Sequence, residues 1–263
     1  MHKIAVITPC YNSADFILDC MQSVALANTF GICEITHIIV DDASTDDTWN
    51  IINRSKISNL LTFRLIENKG SAFARNYAIK HCDADFIFCL DSDDVLFQNS
   101  LFSLLTAAIE KKADWVYGDI LRGDDQLRYL SGRDYFGWNF KTTQEVLIAL
   151  FKNEHFFQHS SLFSKKAFEK AGRYDETLRM AVDFDLFTRM LLCEYPPFYL
   201  PGPLFIHRFH NNNLSRLYTA DPKKHEQTIR KLYEKYVDRL KLTLSKDAIA
   251  TIEQAHSAWS KIG

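Results

Sequence analysis

No stretch of this 263-residue sequence approaches the roughly 20 consecutive apolar residues that a membrane span needs. An excess of either charge is missing too: 31 Lys and Arg stand against 33 Asp and Glu, leaving a net charge of −2. The field of the whole molecule therefore offers nucleic acid no general attraction, and any anionic ligand must be met locally. The six cysteines (Cys10, Cys20, Cys33, Cys82, Cys89 and Cys193) include no C-x-x-C pair and no regular framework. A chain of this length does not need disulfide staples, so the expectation is reduced, mostly buried thiols in a cytoplasmic protein. At the start, Met1-His2-Lys3 runs straight into Ile4-Ala5-Val6-Ile7, which Thr8-Pro9 halts. That apolar run is too short for a signal-peptide core. Internal repeats and low-complexity segments are also lacking. What is present is 47% hydrophobic side chains, enough for a full core in one large domain with or without a helical appendage.

Through the first hundred residues, short apolar runs near 3–8, 35–40, 62–66 and 85–90 are each followed by a polar turn. Strands alternating with helical patterns read as βα units on a parallel sheet. Between the first two runs, Ile17, Cys20, Met21 and Val24 recur at helical spacing and predict a crossover helix with one apolar face. Beyond residue 100 the rhythm loosens, with helices predicted near 99–111, 143–151 and 183–192 and strands near 115–118 and 203–207. Asp221-Pro222 then reads as a cap and first turn. After it, Ile229, Leu232, Tyr233, Tyr236, Val237 and Leu240 form an apolar stripe, and a second helix is predicted over 246–259.

The chemistry-bearing residues fall just after the apolar runs, at the carboxyl ends of the predicted strands, where open α/β sheets bind ligands. Asp91-Ser92-Asp93-Asp94 follows Phe86-Ile87-Phe88-Cys89-Leu90, so one strand delivers three carboxylates into one turn. Charges so close repel unless a cation sits among them. Hard oxygen ligands of this kind suit Mg²⁺ or Mn²⁺ shared with substrate phosphates. A lone D-x-D is more often a solvated acidic turn, so its neighbours carry the argument. Asp41-Asp42 ends the strand Ile38-Ile39-Val40, where a carboxylate can accept a pyrimidine ring N–H or a ribose hydroxyl. Ser44, Thr45 or Asp46 can cap the helix that follows. Asn68-Lys69-Gly70-Ser71 opens a further helix, whose N-terminus with Lys69 and Arg75 nearby favours a diphosphate.

Taken together, Thr8-Pro9-Cys10-Tyr11-Asn12, the Val40-to-Thr48 stretch, Asn68-Lys69-Gly70 with Ala74-Arg75-Asn76, and Leu90-Asp91-Ser92-Asp93-Asp94 resemble family 2 glycosyltransferases of the GT-A fold. The four motifs occur in the family's order over about the first hundred residues. The resemblance implies an α/β fold with a Rossmann-like, largely parallel sheet flanked by helices and a C-terminal helical extension. The catalytic domain is expected over 1–215, its nucleotide-sugar half over 1–100 and its acceptor half over 101–215, with the extension over 216–263. Expected around the nucleotide are Pro9, Tyr11, Asp41, Asp42, Asn68, Gly70, Arg75, Asp91 and Ser92. Tyr11 and Asp42 would hold the base, Arg75 would lie by the donor, and Asp91 and Asp93 would position Mn²⁺ or Mg²⁺.

In the second half, Ala181-Val182-Asp183-Phe184-Asp185-Leu186 resembles the family's acidic helix start, with Val182 where a Glu is usual. The resemblance puts the catalytic base at Asp183. Helical geometry separates the two acids: Asp185 is four residues before Arg189 and suited to a surface ion pair, while Asp183 lies about 200° around the helix from Asp185. The helix N-terminus also favours an ionised carboxylate at Asp183. His207-Arg208-Phe209-His210 through Ser215 resembles the family's C-terminal segment, implying that Arg208 and His210 meet the diphosphate end of the donor on loop closure. His159 is the acceptor-pocket candidate. Implied partners are a UDP-sugar or another nucleotide-sugar donor and a saccharide or lipid-linked saccharide acceptor, in bacterial cell-surface polysaccharide or glycolipid synthesis. The mildly basic 221–241 helix could rest on anionic lipid at the inner face of the membrane, but packing against the catalytic body is the expectation.

Two rivals remain open on sequence. Asp91-Ser92-Asp93-Asp94-Val95 also fits the D-x-D-x-[TV] pattern of haloacid-dehalogenase-like phosphatases, which carry it after their first strand; here other βα units precede it. An inactive nucleotide-sugar-binding module would be expected to lack the base.

Overall fold

The computed structural model describes residues 1–27, 33–131, 136–154, 160–211, 213 and 221–259. Three parallel strands, β1 (His2–Cys10), β2 (Cys33–Asp41) and β3 (Leu60–Arg64), are linked by α1 (Ile17–Ala27) and α2 (Thr48–Arg54); α3 (Ser71–Lys80) then leads to β4 (Phe86–Cys89). The short β5 (Val95–Leu96) precedes α4 (Ser100–Lys111) and β6 (Trp115–Gly123). Next come α5 (Thr143–Phe151), β7 (Leu162–Ser164), α6 (Lys165–Lys170), α7 (Val182–Leu192) and β8 (Phe198–Arg208). The chain continues as α8 (Pro222–Thr243) and α9 (Lys246–Trp259).

All eight strands join one sheet in the order β3-β2-β1-β4-β7-β6-β8-β5. The largely parallel expectation holds from β3 to β4, where β1 pairs in parallel with both β2 and β4. The far half is mixed, because β7 enters antiparallel between β4 and β6 and β5 runs antiparallel to β8. β5 and β7 are short and lie in irregular sequence, so neither shows a period long enough to read.

The parallel strands are buried on both faces, which is why their sequences are near-continuous apolar runs and not alternating ones. Ala5, Ile7, Ile38, Val40, Ile87 and Cys89 share a core with α3, α5, α7, α8 and α9. Ile4, Val6, Phe88 and Leu90 share another with Cys20 and Val24 of α1 and with α4, while Ile17 and Met21 complete α1's buried face. The stripe on α8 is spent internally: Ile229, Leu232, Tyr233, Tyr236 and Leu240 join the core that α5 and α7 line. All six cysteines are free thiols, with Cys10, Cys20 and Cys89 buried and the other three half-buried. Among the described residues, no helix is long and apolar enough to cross a membrane.

Candidate active site

Every parallel strand points its carboxyl end to one edge of the sheet, and each delivers part of a cleft there. β1 ends in a turn where Asn12 takes a positive φ of 52° and its amide oxygen accepts from the Thr45 N–H at 2.8 Å. Pro9 is buried in β1, while Tyr11 stays about half exposed. β2 ends in two buried acids with different duties. Asp41 meets Arg64 at 3.1 Å and accepts from the Ser44 N–H. Asp42 accepts from the backbone N–H groups of Lys69 and Gly70, each at 2.7 Å. Asp42 thus fixes the Asn68–Gly70 turn against β2, a tie that sequence spacing does not show. Ahead of α2 the Asp46 carboxylate accepts from the Thr48 N–H, but the N-cap of that helix is Asp47, whose side chain makes no capping hydrogen bond.

The acidic turn follows β4, the fourth strand along the chain, and not the first as the phosphatase pattern requires. Its members are held separately. Asp91 accepts from Arg75 at 2.8 Å, and Ser92 is buried with its hydroxyl 2.7 Å from that of Ser13. Asp93 accepts at one oxygen from both His210 Nε2 and Asn213 Nδ2, each at 2.9 Å. Asp94 is buried, accepting the Arg208 N–H at one oxygen and leaving the other without a hydrogen-bond partner. Burial, with Asp93 and Asp91 beside it, pushes the Asp94 carboxyl well above the usual carboxylate range.

Asp91 and Asp93 keep 35% and 22% of their side-chain surface, so both can still be reached. Their hard oxygens fit Mg²⁺ or Mn²⁺. Among the described residues, no group of three or more His, Cys, Asp or Glu side chains forms a complete metal cage. A cation held here would have to share its shell with phosphate oxygens, as Mg²⁺ usually does.

Arg75 is the hub. It lies on the face of α3 turned toward the second half, is only 3% exposed, and reaches Asp91 at 2.8 Å and Asp183 at 3.4 Å. The Tyr174 ring covers it, with the guanidinium carbon 5.3 Å from the ring centroid. Its neighbour Asn76 clamps the segment before α7, donating to the Tyr174 carbonyl and the Glu176 carboxylate and accepting the Tyr174 N–H. Ala181 takes a left-handed φ of 55° to start α7, which sets Asp183 in the first helical turn. Asp183 retains 26% exposure in the cleft.

Asp185, half a turn away, is not at the surface. It is fully buried because α8 returns over it: Tyr236 and Lys235 donate to one oxygen at 2.5 and 2.8 Å, and Arg189 donates twice to the other at 2.9 and 2.7 Å. The predicted i,i+4 partner is right and the predicted setting is not.

The C-terminal segment also differs from expectation. Arg208 is buried, with its guanidinium donating to the Asp93 carbonyl, the Asp125 carbonyl and the Asp19 carboxylate, over the Phe16 ring. It braces the acidic turn from below. His210 packs on Phe16 and holds Asp93. The roles of Asp19, Ser13, Asn76 and Asn213 had no sequence signal, since each is defined by a partner distant in the chain. His159 lies outside the described residues.

A family model described as glycosyl transferase family 2 matches residues 5–172, so the chain belongs to glycosyltransferase family 2. A 94-residue stretch is 44% identical to the Escherichia coli UDP-Glc:alpha-D-GlcNAc-diphosphoundecaprenol beta-1,3-glucosyltransferase WfaP, covering 36% of each chain. Glycosyltransferase GlyG of Streptococcus pneumoniae is 28% identical over 200 residues, 67% of this chain and 63% of that one. The matched stretches thus span between about a third and just under two-thirds of these relatives' lengths. The fold is shared with the crystal structure of S. aureus TarS 1-349, which superposes with a TM-score of 0.72 at 20% identity over 99% of this chain and 73% of that one. TarS 1-349 in complex with UDP-GlcNAc superposes with a TM-score of 0.68 at 18% identity, over 98% of this chain and 80% of that one.

Proposed function

We propose that this chain is an inverting glycosyltransferase that moves a sugar, a hexose or N-acetylhexosamine, from a UDP-sugar to an acceptor hydroxyl in the synthesis of a bacterial surface polysaccharide or glycolipid. The observation that carries this is the Arg75 bridge, where one buried guanidinium touches the acid of the strand-end turn and the acid opening α7. A donor lying along the strand ends would have its anomeric carbon between those two acids. The named relatives support the donor class: one is named for UDP-Glc, and a structural neighbour was crystallised with UDP-GlcNAc.

In this reading Asp42, fixed by two backbone N–H groups, still has lone pairs for the base. Asp183 takes the proton of the acceptor hydroxyl as that oxygen attacks the anomeric carbon from the face opposite the departing diphosphate, so the configuration inverts. Arg75 keeps the Asp183 carboxylate aimed into the cleft, and His210 and Asn213 orient Asp93. A Mg²⁺ or Mn²⁺ held through Asp91 and Asp93 would stabilise the negative charge that develops on the diphosphate.

The test is transfer from UDP-glucose and UDP-N-acetylglucosamine with Mn²⁺ or Mg²⁺ present, followed by mass spectrometry of the products. Asp183→Asn should lower the turnover number by about two orders of magnitude or more, within the range for general-base catalysis, with UDP affinity unchanged. Excess chelator should weaken UDP binding to the unaltered protein. Near-normal transfer by Asp183→Asn would refute the assignment of the base, and equal UDP affinity in chelator would refute the metal.

A further inference from the structure

The cations that sequence reading assigns to the donor diphosphate are already compensated within the protein. Arg75 is shared between Asp91 and Asp183. Arg208 is buried against Asp19 and two carbonyls. Lys69 pairs with Glu67 at 3.3 Å and lies over the Phe73 ring. A cation whose charge is already met offers little net attraction to a further anion.

Arg179 is different. It is exposed, and among the described residues it makes no ion pair or hydrogen bond. It is also not out in solvent on its own: its guanidinium lies against Gly70, so closely that a Cβ at that position would collide with Nη1. Gly70 has a φ of +89°, donates its N–H to Asp42, and caps the start of α3. Arg179 therefore lies over the turn that Asp42 fixes. It stands four residues before Asp183, in a segment anchored on one side by Asn76 and on the other by Arg75.

We propose that Arg179 is the residue that takes up the phosphate charge of the nucleotide donor. This rests on the reading of the cleft as a nucleotide-sugar site. The guanidinium offers five N–H donors in a planar fork that matches phosphate oxygens, and the missing side chain at Gly70 leaves the room for it to lie on the turn. Because Arg179 belongs to the segment that presents Asp183, phosphate binding there also ties the base to the occupied donor.

The test is calorimetric titration of the full chain with UDP and, separately, with uridine, in Mg²⁺ buffer. Loss of a hydrogen-bonded charge contact is worth a roughly 10- to 100-fold change in affinity. Arg179→Ala should weaken UDP by that factor and leave uridine within about twofold, and Arg179→Lys should recover part of the loss as a point charge. Unchanged UDP binding by Arg179→Ala would overturn the proposal while leaving the proposed function standing. Equal loss of UDP and uridine would overturn it as well, because the guanidinium would then serve the base or merely brace the turn. If the unaltered protein binds neither ligand, the proposed function and this proposal fall together.

Discussion

Asp183 and Asp185 are two residues apart and chemically identical, yet the structure assigns them opposite consequences on substitution. Asp185 is fully buried and accepts four hydrogen bonds from three donors, two of them cationic. Asp185→Ala would leave Arg189, itself mostly buried, and the Tyr236 hydroxyl without their acceptor. Lys235 is partly exposed and can turn to water or keep Asp175, so its share is small. Breaking a buried charge pair from one side costs about 3–5 kcal/mol. At roughly 2–4 °C per kcal/mol for a chain of this size, the melting temperature should fall by about 6–20 °C. Asp183 is partly exposed and its contact to Arg75 is long, while the shorter Arg75–Asp91 pair survives its loss. Asp183→Asn should therefore shift stability by less than about 1 kcal/mol, in the range of exposed pairs. Urea unfolding followed by circular dichroism, with turnover measured alongside, gives a crossed result: Asp185→Ala costs stability and Asp183→Asn costs rate. A cost below about 1 kcal/mol for Asp185→Ala would show that α8 does not hold α7 through this network.

Asp42→Ala removes the acceptor of two backbone N–H groups, at about 1 kcal/mol each. It should lower UDP affinity tenfold or more by calorimetry, whereas an unaltered affinity would leave Asp42 a purely structural residue. His37 is buried, its Nε2 2.9 Å from the Thr8 hydroxyl, and burial holds its pKa down at about 3, below the unfolded value near 6.5. Protonation thus favours the unfolded chain: the native state is unpenalised above pH 6.5 and loses up to about 1.4 kcal/mol per pH unit as pH falls from there toward 3. His37→Gln should remove that slope, and parallel stability curves for the two proteins between pH 6.5 and 5 would refute it.

The sequence by itself determined the repeating βα half and the positions of the acids at its strand ends. Each of those features is local: an apolar run long enough to cross the sheet, a polar turn, and a carboxylate at the boundary. The same locality made the α1 face, the helix starting at Pro222 and the separation of Asp183 from Asp185 legible, because helical period is fixed by backbone hydrogen bonding. Tertiary structure alone decided what each side chain was for. Asp42 became the clasp of the Asn68–Gly70 turn, Arg208 the brace beneath Asp93, and Asp185 a buried anchor. Apart from Arg189, four positions from Asp185, the partners that give these residues their roles lie from 27 to 189 positions away in the chain. Whether a charge is solvated or enclosed depends on which element returns to cover it. For Asp185 that element is α8, and the residues that cover it, Lys235 and Tyr236, lie 50 and 51 positions further along the chain, beyond the reach of any local period.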